Sequence, residues 1–117
     1  MCHALVIEDD YLVADYIAAL AEFSGATSTA IASTQEEALK SAKAKRPTVI
    51  LCDVRLDEGC GPSAIGEILA CLGPIPVLYI TGIPEECPTS HRAHSVLPKP
   101  FSRDAFVSAF RKHAGIG

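Results

Sequence analysis

The sequence predicts a doubly wound α/β domain, a five-stranded parallel sheet built from five βα units with helices on both faces. Three observations lead there. Apolar runs of strand length alternate with segments of helical period along the whole chain, which implies right-handed crossovers between parallel strands. The runs within residues 48–52 and 76–80 are apolar on both faces, as strands covered from two sides should be. The 117 residues are 49% hydrophobic and 21% charged, enough for one core and one domain, residues 1–117.

The elements follow in order. Residues 3–8 read as a buried strand. Val13, Tyr16, Ile17 and Leu20 then fall at i, i+3, i+4 and i+7, and Gly25 is a plausible stop. "ATSTAIA" at 26–32 is small and tolerant of extended backbone, a modest strand near an edge. Ser33 or Thr34, each with a glutamate three residues on (Glu36, Glu37), opens a second helix reaching about Lys45. Pro47 breaks the pattern, and "TVILCD" is the clearest strand in the chain. Pro62 suits a first helical position, Ile65, Ile68, Leu69 and Leu72 repeat the helical spacing, and Gly73-Pro74 ends it. "PVLYIT" is a fourth strand. Residues 83–94 hold Pro84 and Pro88 and little periodicity, so a helix there should be short or frayed. "SVLP" is a fifth strand, and its Pro98, lacking an N–H, belongs at a sheet margin. Ser102 opens a last helix with Phe106, Ala109, Phe110 and His113 on one side. Five strands in this pattern favour the flavodoxin-like order 2-1-3-4-5.

Bulk chemistry excludes several roles. A net charge of −4 gives no basic footprint for nucleic acid or an acidic membrane surface. No apolar run approaches the roughly 18 residues of a membrane span. The N-terminus shows no basic region followed by an apolar one, so a cytoplasmic location is expected. Five cysteines (Cys2, Cys52, Cys60, Cys71, Cys87) form no CxxC pair and read as buried, reduced thiols rather than a zinc site. His3, His91, His94 and His113 show no metal spacing.

Charge converges on one rim. In an open parallel sheet, ligands bind beyond the carboxyl ends of the strands. The first strand ends in Glu8-Asp9-Asp10, the third in Asp53, the fourth in Thr81-Gly82 and the fifth in Lys99-Pro100. Glu8, Asp9 and Asp53 make an oxygen-rich pocket for a hard divalent ion, most simply Mg²⁺, with a backbone carbonyl after Asp53 completing the set. Asp10 is better placed to cap the following helix. A carboxylate can attack phosphorus to give an acyl phosphate. The Thr81 hydroxyl and the Lys99 ammonium would then steady the phosphoryl oxygens.

The motifs "LVIEDD", "ILCDVRLDEGCG", "PVLYITG" and "LPKPF", in that order and spacing, resemble the receiver domains of two-component response regulators over essentially the whole chain. The resemblance implies that Asp53 is the phosphoacceptor, Asp9 a direct metal ligand and Glu8 the acid holding metal-bound water. It makes the main-chain carbonyl of Arg55 a further ligand, and Thr81 and Lys99 the switch hydroxyl and phosphoryl-contacting lysine. It also implies Mg²⁺ as cofactor, a sensor histidine kinase or histidine phosphotransfer protein as donor, and a downstream protein target. Lys99-Pro100 matches a peptide often cis in the family. Arg55 and Ile83 match positions that border the phosphoryl pocket. Three positions depart from the pattern: Asp57 replaces a usual proline, Val96 a usual aromatic, and Pro98 precedes the lysine. "YITG" is similar to a subgroup with a "FATGY"-like motif that includes single-domain regulators, the expected form here.

Other functions fit less well. A small aspartyl-phosphate phosphohydrolase wants a second acid two residues after its nucleophile, and Arg55 stands there. Flavin phosphate would be repelled by "EDDYL". A receiver-like module that docks partners without phosphorylation has no need of the full acid set.

Overall fold

A computed structural model of the chain describes residues 1–56, 58–83 and 94–116. Strands β1 (His3–Ile7), β2 (Ser28–Ala32), β3 (Val49–Cys52), β4 (Val77–Thr81) and β5 (His94–Pro98) form one parallel sheet in the expected order, β2-β1-β3-β4-β5. Helices α1 (Tyr11–Phe23), α2 (Gln35–Ala44), α3 (Gly61–Leu72) and α4 (Arg103–Ala114) cover it. Asp57 and the segment 84–93, with most of the frayed helix expected at 83–94, lie outside the described residues.

Side chains alternate across each strand and so divide the core in two. Ala4, Val6, Val49, Leu51, Leu78, Ile80 and Leu97 pack under α1 and α4. Leu5, Ile7, Ile50, Cys52, Val77 and Tyr79 pack under α2 and α3. This double coverage explains why the central strands are apolar at every position. The expected outer strands, β2 and β5, are the edges, and Pro98 is the last residue of β5.

The helix starts are set by short polar side chains. Asp10 accepts from the N–H groups of Leu12 and Val13, Thr34 from Glu37, and Ser102 from Ala105. Glu37 reaches back to the Ser33 amide and hydroxyl, one residue beyond an ordinary capping box. α3 begins at Gly61, one residue before Pro62, with Cys60 preceding it and no side-chain cap.

Two expectations are corrected. Tyr16 does not share the inward face of α1: it is 52% exposed, and Ala14, Ile17, Ala18, Leu20 and Ala21 are buried instead. Close approach of α1 to the sheet favours small side chains, and Tyr16 lies outside against the Phe101 ring, centroids 6.3 Å apart. The cysteines are not uniformly buried either. Cys2 and Cys52 are, Cys60 is partly exposed and Cys71 is exposed.

Candidate functional site

The acids stand just past their strands, on backbone that is still pinned. The Glu8 amide donates to the Ala32 carbonyl at 2.9 Å, and the Asp53 amide to the Ile7 carbonyl at 2.9 Å. Parallel pairing of β1 with β3 thereby fixes Glu8 beside Asp53, although 45 residues separate them. Carboxylate oxygens of Glu8, Asp9 and Asp53 all lie within 4.8 Å of one another.

Lys99 enters this cluster from the opposite side. Its amide donates to the Thr81 carbonyl at 2.8 Å, holding the end of β5 against β4, and the Lys99-Pro100 peptide is cis, as the resemblance implied. The ammonium Nζ lies 3.2 Å from Glu8 Oε2 and 3.6 Å from Asp53 Oδ2. Remaining lone pairs meet backbone: Asp53 Oδ1 accepts from the Val54 N–H at 2.8 Å, and Glu8 Oε1 from the Asp10 N–H at 3.2 Å. Among the described residues, none donates a hydrogen bond to the Asp9 carboxylate.

The Lys99 ammonium therefore pairs with two of the three carboxylates, Glu8 and Asp53. Glu8 is almost fully buried, 3% exposed, and its pKa is pushed up to about 7. Burial is the largest cause and the Asp53 charge the next; Lys99 and the Asp10 N–H oppose them. The cluster thus gathers more negative charge than Lys99 alone offsets. The donors are all hard oxygens, so the residues fit Mg²⁺.

Thr81 ends β4 on the same rim and is fully buried. Its Oγ1 accepts from the Ile83 N–H at 3.0 Å, which leaves the hydroxyl proton to donate. Among the described residues it makes no hydrogen bond to the acid cluster. Arg55 sits in the loop after Asp53 with its side chain exposed and its backbone bridged antiparallel to Cys60. The Gly61 amide donates to the Val54 carbonyl at 2.8 Å. A Cβ on Gly61 would stand 1.9 Å from the Asp53 carbonyl oxygen, so only glycine lets the loop return this closely onto the Asp53 backbone.

Glu8, Asp9, Asp53 and Lys99 are thus brought into contact, while Thr81 and Arg55 flank them. The reading by sequence missed Gly61 and also Gln35, whose side chain holds the same loop from α2. Gly61 beside Pro62 looks like an ordinary helix entry. Nothing near Gln35 in the sequence marks it.

Comparison with known proteins identifies the family and the fold. A model of the response regulator receiver domain matches residues 4–111. The phyllosphere-induced regulator PhyR of Methylorubrum extorquens is 38% identical over 109 residues, 90% of this chain and 40% of that protein. The PhyR receiver domain of Erythrobacter litoralis superposes with a TM-score of 0.81 at 26% identity, over 96% of this chain and 88% of that one. The anti-anti-sigma factor PhyR of Bartonella quintana superposes with a TM-score of 0.80 at 34% identity, over 97% of this chain and 46% of that one. The chain spans less than half the length of the first and last of these relatives.

Proposed function

We propose that this chain, which belongs to the family of response regulator receiver domains, works as a switch phosphorylated on Asp53. The observation that carries the proposal is the convergence of Glu8, Asp9 and Asp53 within 4.8 Å, with Lys99 bridging two of them. A structural role alone gives no reason to gather three carboxylates at a half-buried rim, where their repulsion is strongest.

In this reading Glu8, Asp9, Asp53 and the Arg55 carbonyl would hold Mg²⁺. The bound ion would supply positive charge that lets a dianionic phosphoryl group approach a carboxylate. An Asp53 carboxylate oxygen attacks phosphorus, the bond from phosphorus to the donor's imidazole nitrogen breaks, and an aspartyl phosphate remains. Lys99 then turns from Asp53 Oδ2 to the new phosphoryl oxygens, and the Thr81 hydroxyl donates its free proton to them. The donor is a sensor histidine kinase or histidine phosphotransfer protein, and the place of action is the cytoplasm. No described helix is long and apolar enough to cross a membrane. The chain is a signalling domain, with no turnover of a separate substrate. The Bartonella quintana relative is an anti-anti-sigma factor. A protein of sigma-factor control is accordingly the downstream partner we assign.

Acetyl phosphate and Mg²⁺, followed by intact-mass measurement, test the central claim. Wild type should gain one phosphoryl group, and Asp53→Asn none. Equal adduct on both proteins would remove Asp53 from the role.

A further inference from the structure

Gln35 is the first residue of α2, directly after its Thr34 cap, and its side chain bonds to residues outside that helix. Three separate bonds tie it to other elements. Its backbone N–H donates to the Glu58 carbonyl at 3.2 Å. Its side-chain Oε1 accepts from the Cys60 N–H at 3.3 Å, and its Nε2 donates to Glu67 Oε1 on α3. The packing is close: a Cβ on Gly59 would stand 2.4 Å from Gln35 Oε1 and 2.7 Å from its Cβ. Gly59 is also at φ +89°, open to glycine at little cost. The loop that leaves Asp53 is therefore clamped by one amide side chain from another helix.

What the clamp holds is the return leg of that loop. Cys60, which Gln35 grips, is bridged to Arg55, and the next residue, Gly61, bonds to Val54. Among the described residues, one path from Gln35 to the Arg55 backbone runs through Cys60.

We infer that Gln35 is a positioning residue for the metal site: by fixing Cys60 it holds the Arg55 carbonyl where a cation at Glu8, Asp9 and Asp53 would use it. Glu67 orients the Gln35 amide, so the oxygen faces Cys60 and the nitrogen faces α3. The inference rests on the Mg²⁺ reading above.

The test is Mg²⁺ titration of the intact chain followed by amide chemical shifts, on wild type, Asp9→Ala, Gln35→Leu, Gln35→Glu and the double variant Gln35→Glu/Glu67→Gln. Leucine keeps the volume of Gln35 and loses the acceptor. Single Gln35→Glu places two carboxylates together, whereas the double variant regenerates both hydrogen bonds with donor and acceptor exchanged between residues 35 and 67. Gln35→Leu and Gln35→Glu should each weaken Mg²⁺ binding about tenfold, the lower range for loss of a residue supporting a metal site. The double variant should return to the wild-type value. With acetyl phosphate, the slower labelling of Gln35→Leu should recover at saturating Mg²⁺, which a general loosening of the fold would not allow. Wild-type affinity in Gln35→Leu, no rescue in the double variant, or a labelling deficit that persists at saturating Mg²⁺ would each overturn the role of Gln35. Unchanged affinity in Asp9→Ala would instead overturn the metal reading beneath it.

Discussion

The two ends of the same strands satisfy their polar groups in opposite ways. At the amino end of β1, hydroxyls just ahead of the neighbouring strands bond to the backbone of Cys2 and His3. Thr27 Oγ1 accepts from the Cys2 N–H and donates to the Cys2 carbonyl, and Thr48 Oγ1 does the same for His3. His3 Nδ1 shares a 2.8 Å bond with Ser28 Oγ. At the carboxyl end, three carboxylates crowd together and one ammonium, that of Lys99, pairs with two of them. The amino-end bonds join neutral hydroxyls to backbone, whereas the carboxyl rim gathers like charges in close reach of one another. Sites that must bind and react are commonly maintained at such a cost in stability.

Breaking the carboxyl end should give the largest effect. Asp9→Ala should lose more Mg²⁺ affinity than the roughly tenfold to hundredfold that removing a supporting residue costs, with the fold intact by amide shift dispersion. Wild-type affinity in that variant would erase the contrast between the rims.

The pH dependence of stability sharpens the comparison, because the two ends respond with opposite sign. Glu8 has its folded pKa raised to about 7 from 4.5, so in metal-free protein its contribution is intact below 4.5 and is lost as pH rises through 7. His3 has its folded pKa lowered, by burial first and by Lys45 second. Its contribution is present above 6.5 and is lost as pH falls through the lower folded value. Glu8→Gln should therefore flatten the decline between pH 4.5 and 7 and raise metal-free stability at neutral pH. Urea midpoints across that window, with and without Mg²⁺, measure it. A decline as steep in Glu8→Gln as in wild type would place its origin elsewhere.

The smallest effect is expected at the amino end. Thr48→Val strands the His3 N–H and should cost about 1–3 kcal/mol in urea unfolding. Mg²⁺ affinity should not move. If it did, the two rims would be coupled through the sheet, and the separation drawn above would fail.

Strand order and the acid rim were legible because both depend on local signals: apolar runs, caps and the residue just past each strand. Asp10, Thr34 and Ser102 cap as their positions imply. The orientation of α1 was less legible because alanine carries little weight in a periodic pattern. Ala14, Ala18 and Ala21 are buried where Tyr16 was expected. Gln35 was illegible for a different reason. Its side-chain partners, Cys60 and Glu67, lie 25 and 32 residues away, and no local pattern reports such contacts.

The delivery of Lys99 from the last strand also bears on the history of the chain. Glu8 and Lys99 are 91 residues apart, so their pairing is among the most non-local contacts in the molecule. Such contacts carry the highest closure cost and slow the folding of the whole. While the chain emerges from the ribosome, Glu8, Asp9 and Asp53 are all present before Lys99 exists. A nascent or truncated polypeptide that lacks the edge strand β5 keeps the mutually repelling acids without their counterion. On the proposed reading, a chain without β5 would then lack the lysine that steadies the phosphoryl oxygens.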